Sequence, residues 1–225
     1  MRAAIIGARR TAEELGRAFP GVVVRTSGGD NMLDVVPDAP ALVVSTPGAE
    51  PVAEGGYSAA LLLDTWLMLA RPDLRASEEA VRRWFNAAAL VRPASAGGMV
   101  ILVGDPSALP LQAIVRWSPE GYAAREIEER RTARLAPAAK LAELTGPAES
   151  VNDLVTRLRD LMPPSAGLEV LGPVDLDDET VRAVVRTPRA HGTTLVRCLK
   201  ESQSARTTKK NPGTVRIQVD PPSFG

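Results

Sequence analysis

The feature that most constrains the fold is a series of short, continuously apolar segments separated by stretches with helical periodicity. The apolar segments lie at residues 3–7, 22–25, 41–46, 59–64 and 99–103, and each ends at or just before glycine, proline or a small polar residue. Continuous apolar runs of this length are typical of strands that are buried on both faces, as in parallel sheets. Because parallel neighbours require crossover connections, residues 1 to 136 are predicted to form an open α/β layer sandwich with five strands.

Helix signals occupy the intervals between these strands. Residues 11–19 begin with a threonine cap, and a second helix begins at Ser77 with two glutamates in its first turn and an apolar stripe that includes Val81 and Trp84. A polar helix from Pro119 carries charges of mixed sign three and four residues apart and is predicted to end before Pro137. The domain boundary is therefore placed at residue 136.

Residues 137–225 have a different pattern, which predicts a small α+β domain. Strands are expected at 140–144, 168–171, 181–187 and 214–220, and helices at 150–162 and 192–205. This β-α-β-β-α-β order is that of the ferredoxin-like split βαβ arrangement. In its usual spatial order the first and third strands are central and both helices cover one face, so the other face is open.

The charge distribution suggests what the open face binds. Between residues 143 and 179 there are nine acidic residues, whereas nine lysines and arginines but only one acidic residue lie between 181 and 218. Strand alternation places Arg182, Arg186 and Arg216 on the open face, next to a polar loop. Such a surface could neutralise several phosphates, and the alternative, an ordinary solvated or domain-facing sheet surface, remains open. The predicted DNA-binding residues are Arg182, Arg186, Arg206, Lys209, Lys210 and Arg216.

Other classes of site find little support in the sequence. The only cysteine, Cys198, lies in an apolar helical pattern that favours burial, and the only histidine, His191, is expected at a helix start on the surface. The chain has four lysines and no Gly-Lys-Ser/Thr sequence, so a Walker A loop cannot be assembled from it. No bound metal or cofactor is predicted in this chain. No apolar run is long enough to span a bilayer, so a cytoplasmic protein is expected.

Several motifs resemble one known family. Residues 61–64 and 71–78 are similar to the LLD and DFRA-x-E block in the second motor lobe of primosomal replication-restart helicases, the primosomal protein N′ family. Residues 171–174 and 219–221 resemble the LGPVP and VDVDP signatures of that family's C-terminal domain. The resemblance covers nearly the whole chain and implies a helicase lobe-2-like domain followed by the ferredoxin-like domain.

The departures from the family pattern imply a binding module without motor activity. The two arginines that touch the nucleotide in active family members correspond to Leu90 and Pro93, and the lysine of a second motor element has no counterpart in residues 45–51. Such loss is typical of the actinobacterial branch. Full-length members bind zinc and ATP, but neither would be held by this chain. The resemblance implies forked or single-stranded DNA, single-strand DNA-binding protein and other primosome proteins as partners, in helicase reloading at stalled forks. A residual ATP-binding subunit and a protein-interaction adaptor remain the alternatives.

Overall fold

The computed structural model divides the chain into two compact units, residues 1–119 and 120–225. Within them the structure describes residues 2–208 and 213–221, with side chains at 7–206 and 213–221. The chain is mixed α/β, as the sequence predicts. In the described ranges, no helix combines the length and the apolar character needed to cross a membrane.

The first unit contains small parallel sheets and four helices in its described part. Strands β1 and β3 form one parallel pair, β2 and β4 a second, and β5 and β6 a third. The elements are α1 (Arg2–Ala18), β1 (Val23–Ser27), β2 (Val35–Val36), β3 (Ala41–Ser45), β4 (Val52–Ala53), β5 (Ala59–Leu62), α2 (Thr65–Leu69), α3 (Ala76–Ala89), β6 (Met99–Leu102) and α4 (Leu109–Val115). The strands expected from residue 22 onward are thus present and parallel, but they pair two by two instead of forming one five-stranded sheet.

The prediction of a strand at residues 3–7 is wrong, because this segment is the first part of helix α1. Alanine and arginine are strong helix formers, and they outnumber the two isoleucines that favour a strand. Farther along the helix, Arg9 pairs with Glu13 at 3.3 Å and Arg10 with Glu14 at 3.0 Å, both four residues apart. Gly7 lies between the two parts of the segment, but it does not end the helix, which continues through both.

The second unit is a four-stranded antiparallel sheet with its helices in the predicted order. The spatial order β10-β7-β9-β8 puts the first and third strands of this unit in the centre. The elements are α5 (Pro119–Ala133, which starts one residue before the unit), β7 (Ala139–Gly146), α6 (Ala148–Leu161), β8 (Glu169–Asp175), β9 (Val181–Pro188), α7 (Gly192–Thr208) and β10 (Arg216–Val219). Each strand and helix predicted after residue 137 is therefore confirmed, with ends shifted by a few residues.

One face of this sheet carries the core. Helices α6 and α7 supply Leu154, Leu158 and Leu195 to a cluster with alternate residues of β7 and β9, and these three side chains are completely buried. Cys198 lies in the same cluster, which confirms the predicted buried thiol in a helix. Both helices therefore lie on the same face, and the opposite face is free of them.

Helix α5 is fastened to the second compact unit, which begins at Glu120, and the domain boundary at residue 136 stays a prediction. The Arg186 Nη1 donates a hydrogen bond to the carbonyl oxygen of Ala133 at 3.0 Å, at the C-terminal end of α5. The Arg186 Nη2 lies 2.8 Å from Glu169 Oε2, and Arg134 pairs with the same carboxylate. The Arg186 guanidinium thus binds a carbonyl in the last turn of α5, where the helix dipole favours a cation.

The end of the last strand is fixed to the central strand β7 by Asp220. Its backbone N–H donates to the Leu141 carbonyl at 3.0 Å, while its Oδ1 accepts the Leu141 N–H at 3.1 Å. Lys140 pairs with the other carboxylate oxygen. The aspartate of the Val219-Asp220-Pro221 motif thus has a structural role.

Candidate nucleic-acid interface

The face of the second unit's sheet opposite α6 and α7, the open face, is built from rows of residues in register. Arg182 in β9 and Arg216 in β10 both pair with Thr145 of the strand between them, so the three side chains share one row. Since neighbouring strands lie about 4.8 Å apart, the two arginine Cα atoms are separated by about 10 Å. The predicted alternation of β9 and β10 is confirmed by this register.

Arg182 and Arg216 are available for binding. Arg216 is exposed and Arg182 is half-buried. Considering only the residues that the structure describes, neither guanidinium lies within 4.0 Å of a carboxylate. Two arginines on one face without an ion-pair partner in the described ranges could each contact a phosphate or a carboxylate group.

Arg186, although on the same face, is engaged within the protein. Its side chain is only 18% exposed and holds Glu169 and the end of α5. A guanidinium with these contacts would have to give up an ion pair before binding another anion. In this respect Arg186 differs from Arg182 and Arg216, which have no such contacts among the described residues. Its role in DNA binding stays a prediction.

Arg206 lies inside the second unit instead of on its surface. The residue is 6% exposed, and its Nη1 lies 2.6 Å from Asp153 Oδ2 in α6. Its Nη2 also donates to the carbonyl oxygen of Gly213 at 3.3 Å. Arg206 thus connects α7, α6 and the approach to β10. Lys209 and Lys210, the remaining predicted contacts, lie outside the described residues.

Glu143 is a charged residue on the open face that the sequence analysis did not single out. It pairs in register with Val184 on one side and Gln218 on the other, one row from Arg182 and Arg216. Its Oε2 is buried and has no hydrogen-bond partner in the described part of the chain, while Thr145 Oγ1 donates to Oε1 at 3.4 Å. The alternation of β7 could have located it. A carboxylate here limits the net positive charge of the face.

In the loop after β3, backbone groups that could face a phosphate are hydrogen-bonded to side chains of the protein itself. The Gly48 N–H donates to both Glu50 carboxylate oxygens at 2.9 and 3.0 Å. Arg83 Nη1 donates to the Pro47 carbonyl at 2.6 Å. The Glu50 carboxylate already accepts the Gly48 N–H, and its negative charge would repel a phosphate that approached this loop.

Arg92, which lies between Leu90 and Pro93 in the sequence, is also hydrogen-bonded within the protein. Its Nε donates to the carbonyl oxygens of Gly55 and Gly56 at 2.8 and 3.0 Å, and its Nη2 lies 3.3 Å from Asp38 Oδ1. The guanidinium holds the turn after β4.

His191 occupies the end of the short 3-10 turn Arg189–His191 directly before α7, and it is half-buried. Its predicted position at a helix start is thus confirmed. A search of the described residues finds no group of three or more histidine, cysteine, aspartate or glutamate side chains with the proximity needed to hold a metal.

Comparison with known proteins finds relatives that match the whole length of this chain. Residues 131–222 match the family described as primosomal protein N C-terminal domain. The probable replication restart protein PriA of Mycobacterium tuberculosis strain H37Rv is 45% identical over 240 aligned residues, which include 100% of this chain and 37% of the relative. The probable replication restart protein PriA of Mycobacterium leprae is 44% identical over 237 residues, with 100% of this chain and 36% of the relative covered.

These matches agree with the order of motifs in the sequence. The chain spans little more than a third of the length of the curated relatives that it matches. The matched share is a C-terminal part of them, which is the part that the sequence motifs resemble. The chain is thus similar along its whole length to a C-terminal part of the replication restart proteins PriA, and its residues 131–222 match the C-terminal domain of the primosomal protein family.

Proposed function

We propose that this chain is a non-catalytic, DNA-binding part of a replication-restart protein that recognises stalled forks and helps to reload the replicative helicase. The relatives are named replication restart proteins, which supports a role in that process. The role would be carried out where the chromosome is, in the cytoplasm, with other primosome proteins as partners. We further assign the first unit to a degenerate helicase lobe 2 and the second to the ferredoxin-like arrangement.

One observation carries the DNA-binding part of the proposal. Arg182 and Arg216 lie in register on either side of Thr145, on the face opposite α6 and α7. Neither guanidinium is paired with a carboxylate in the described ranges, so binding a phosphate would not require breaking an ion pair. The two arginines are far enough apart to contact two phosphates. The negative charge of Glu143 in the next row weakens the attraction of this face for DNA.

The absence of motor activity is proposed from the occupied loop after β3 and from Arg92. Gly48 N–H is taken by Glu50, and Arg92 is taken by two backbone carbonyls. Titration with Mg-ATP monitored by isothermal calorimetry tests this. We expect no heat of binding, and saturable binding to this chain would support the alternative of a residual ATP-binding subunit.

Salt-dependent binding to forked DNA tests the main proposal. Each phosphate contact contributes about 0.9 to the slope of log affinity against log salt on duplex DNA, so Arg182→Gln with Arg216→Gln should reduce the slope by about 2. Arg197→Gln is the matched control, because Arg197 is exposed on α7, which packs on the other face of the sheet. A double variant with the slope of the control would contradict the proposed contact surface.

A protein partner is the second candidate for the same face. Leu171 and Val174 are exposed on β8, and Val174 pairs in register with Arg182. Arginine next to exposed apolar side chains is typical of protein interfaces. If the Arg182 and Arg216 variant keeps its affinity for forked DNA but loses binding to another primosome protein, the adaptor function replaces DNA binding.

A further inference from the structure

The first residue of strand β8 is a glutamate whose carboxylate is held by two arginines. Glu169 pairs in register with Arg186 of β9, on the open face of the second unit's sheet. The Nε and Nη2 atoms of Arg186 each lie 2.8 Å from Glu169 Oε2. Arg134, directly after α5, pairs with the other carboxylate oxygen, Oε1. The guanidinium groups of Arg134 and Arg186, which we call the arginine pair, therefore converge on one monovalent anion.

The donors of Arg186 are divided between α5 and the carboxylate. Its Nη1 donates to the carbonyl oxygen of Ala133 at 3.0 Å, at the end of α5. Its Nε and Nη2 form the edge of the guanidinium that faces Glu169. Such an edge, with two parallel N–H groups, matches the oxygens of a phosphate as well as those of a carboxylate. One anion could therefore replace another at this edge while the hydrogen bond to α5 stays in place.

Glu169 is placed so that its side chain can turn into solvent. It lies on β8, which is the outermost strand on its side of the sheet, and its side chain is 32% exposed, against 18% for Arg186. Water can solvate the carboxylate after such a movement, whereas Arg186 would be left as a largely buried charge without compensation. Departure of Glu169 is therefore favourable only when another anion takes its place beside the arginine pair.

We propose that the arginine pair is a further phosphate-binding site of the open face, and that Glu169 occupies it in place of a DNA backbone phosphate. A backbone phosphodiester carries one negative charge, like the carboxylate, and also presents two oxygens to a guanidinium. Arg182 and Arg186 are four residues apart on the same face of β9, which separates their Cα atoms by about 14 Å. A DNA strand that follows β9 would contact both. The inference rests on the proposed DNA-binding function and extends the contact surface to Arg134.

The exchange of anions has a consequence for the salt dependence of DNA binding. A phosphate that the arginine pair neutralises releases a counterion from the DNA, which contributes about 0.9 to the slope of log affinity against log salt. The Glu169 carboxylate that it displaces attracts a cation from solution, so the net release at this site is small. Without the negative charge of Glu169, the arginine pair should contribute to the slope in full.

Fluorescence anisotropy with labelled forked DNA over a range of salt concentrations tests the proposal. Glu169→Gln removes the charge but keeps an oxygen that can accept a hydrogen bond from Arg186. Asp175→Asn is the matched control, because Asp175 is exposed on the same strand and forms no ion pair in the described ranges. We expect Glu169→Gln to steepen the slope by about 0.9, so that a fourfold rise in salt weakens its binding about 3.5 times more than that of the unsubstituted chain. The control should keep the original slope.

Arg134 provides a second measurement that leaves Glu169 in place. Its side chain is 63% exposed, and Arg134→Gln by itself should weaken binding to forked DNA at low salt about two- to fivefold, the effect of one exposed ion pair. Added to Glu169→Gln, it should cancel most of the increase in slope. Equal slopes for Glu169→Gln and Asp175→Asn, or an increase that persists after Arg134→Gln, would overturn the site while leaving the proposed function intact. If the unsubstituted chain shows no salt-dependent affinity for forked DNA, both are overturned.

Discussion

Arg206 offers the sharpest test, because the sequence predicts a DNA contact and the structure places the residue in the interior. The perturbation is Arg206→Met, which keeps most of the side chain's apolar volume but removes the guanidinium. The change deletes the ion pair with Asp153 at 2.6 Å and the bond to the Gly213 carbonyl. If these contacts are structural, the variant should lose stability and keep its affinity for DNA.

The magnitude follows from the burial of the two partners. Removing one member of a fully buried ion pair costs about 3 to 5 kcal/mol, since the remaining charge is left without compensation. Asp153 is 40% exposed, so water can solvate its carboxylate after the change. We therefore expect a loss of about 2 kcal/mol, comparable to one charge-assisted hydrogen bond. For a unit of about 100 residues this lowers the thermal midpoint by about 8 °C.

The assay combines urea unfolding with binding to forked DNA, measured well below the unfolding midpoint. Arg197→Met is the control on the same helix, because Arg197 is exposed and forms no ion pair in the described ranges. We expect Arg206→Met to unfold at lower urea than the control and to bind DNA equally well. Unchanged stability together with weaker, less salt-dependent binding would refute the structural role and restore Arg206 to the DNA-binding set.

Three further predictions concern the stability of each unit. Hydrogen bonds from Arg82 and then Arg83 lower the pKa of Glu79 to about 2 from its ordinary value of 4.5, so its pairing stabilises the chain above pH 4.5 and is lost as the pH falls toward 2. Glu79→Gln should therefore reduce stability by about 0.5 to 1 kcal/mol at pH 6 and by much less at pH 2.5 in urea titrations, and an equal deficit at both values would exclude this pairing. Asp220→Ala leaves the buried Leu141 N–H without its acceptor and should lower the free energy of unfolding by about 1 to 3 kcal/mol in chemical denaturation. Asp220→Asn should lower it less, because the amide oxygen can still accept this hydrogen bond. Thr187→Val removes the buried hydroxyl that donates to the Ala166 carbonyl, and a loss of about 1 to 2 kcal/mol is expected in thermal unfolding, with Thr156→Val on the exposed side of α6 as the control.

The second unit could be predicted from sequence because its signals are local. Strict alternation from Val181 to Thr187 identifies β9 and its two faces, and the spacing of Leu154, Leu158 and their neighbours identifies α6. The acidic turn before β9 is held by equally local contacts, since Asp177 accepts the backbone N–H groups of Glu179 and Thr180 there. Local patterns of this kind need no knowledge of the rest of the chain.

The first unit was less predictable because strand pairing is not local. The runs at β1, β3, β5 and β6 were located, but an apolar run does not specify which neighbour it pairs with. The same limit applies to the site. Alternation indicated that Arg182 and Arg216 share a face, but the ion pair of Arg206 involves Asp153, 53 residues earlier, and no spacing rule identifies such a partner.

The fastening of α5 by Arg186 has a consequence for any shortened form of the protein. The family match begins at residue 131, which lies near the end of α5, whereas the compact unit begins at residue 120. A fragment cut at residue 131 would retain only three helical residues before the turn, too few to persist as a helix. Arg186 would then lose the ordered helical carbonyl at the end of α5 and would be held mainly by its ion pair with Glu169. The boundary of sequence similarity is therefore a poor guide to where this unit can be cut.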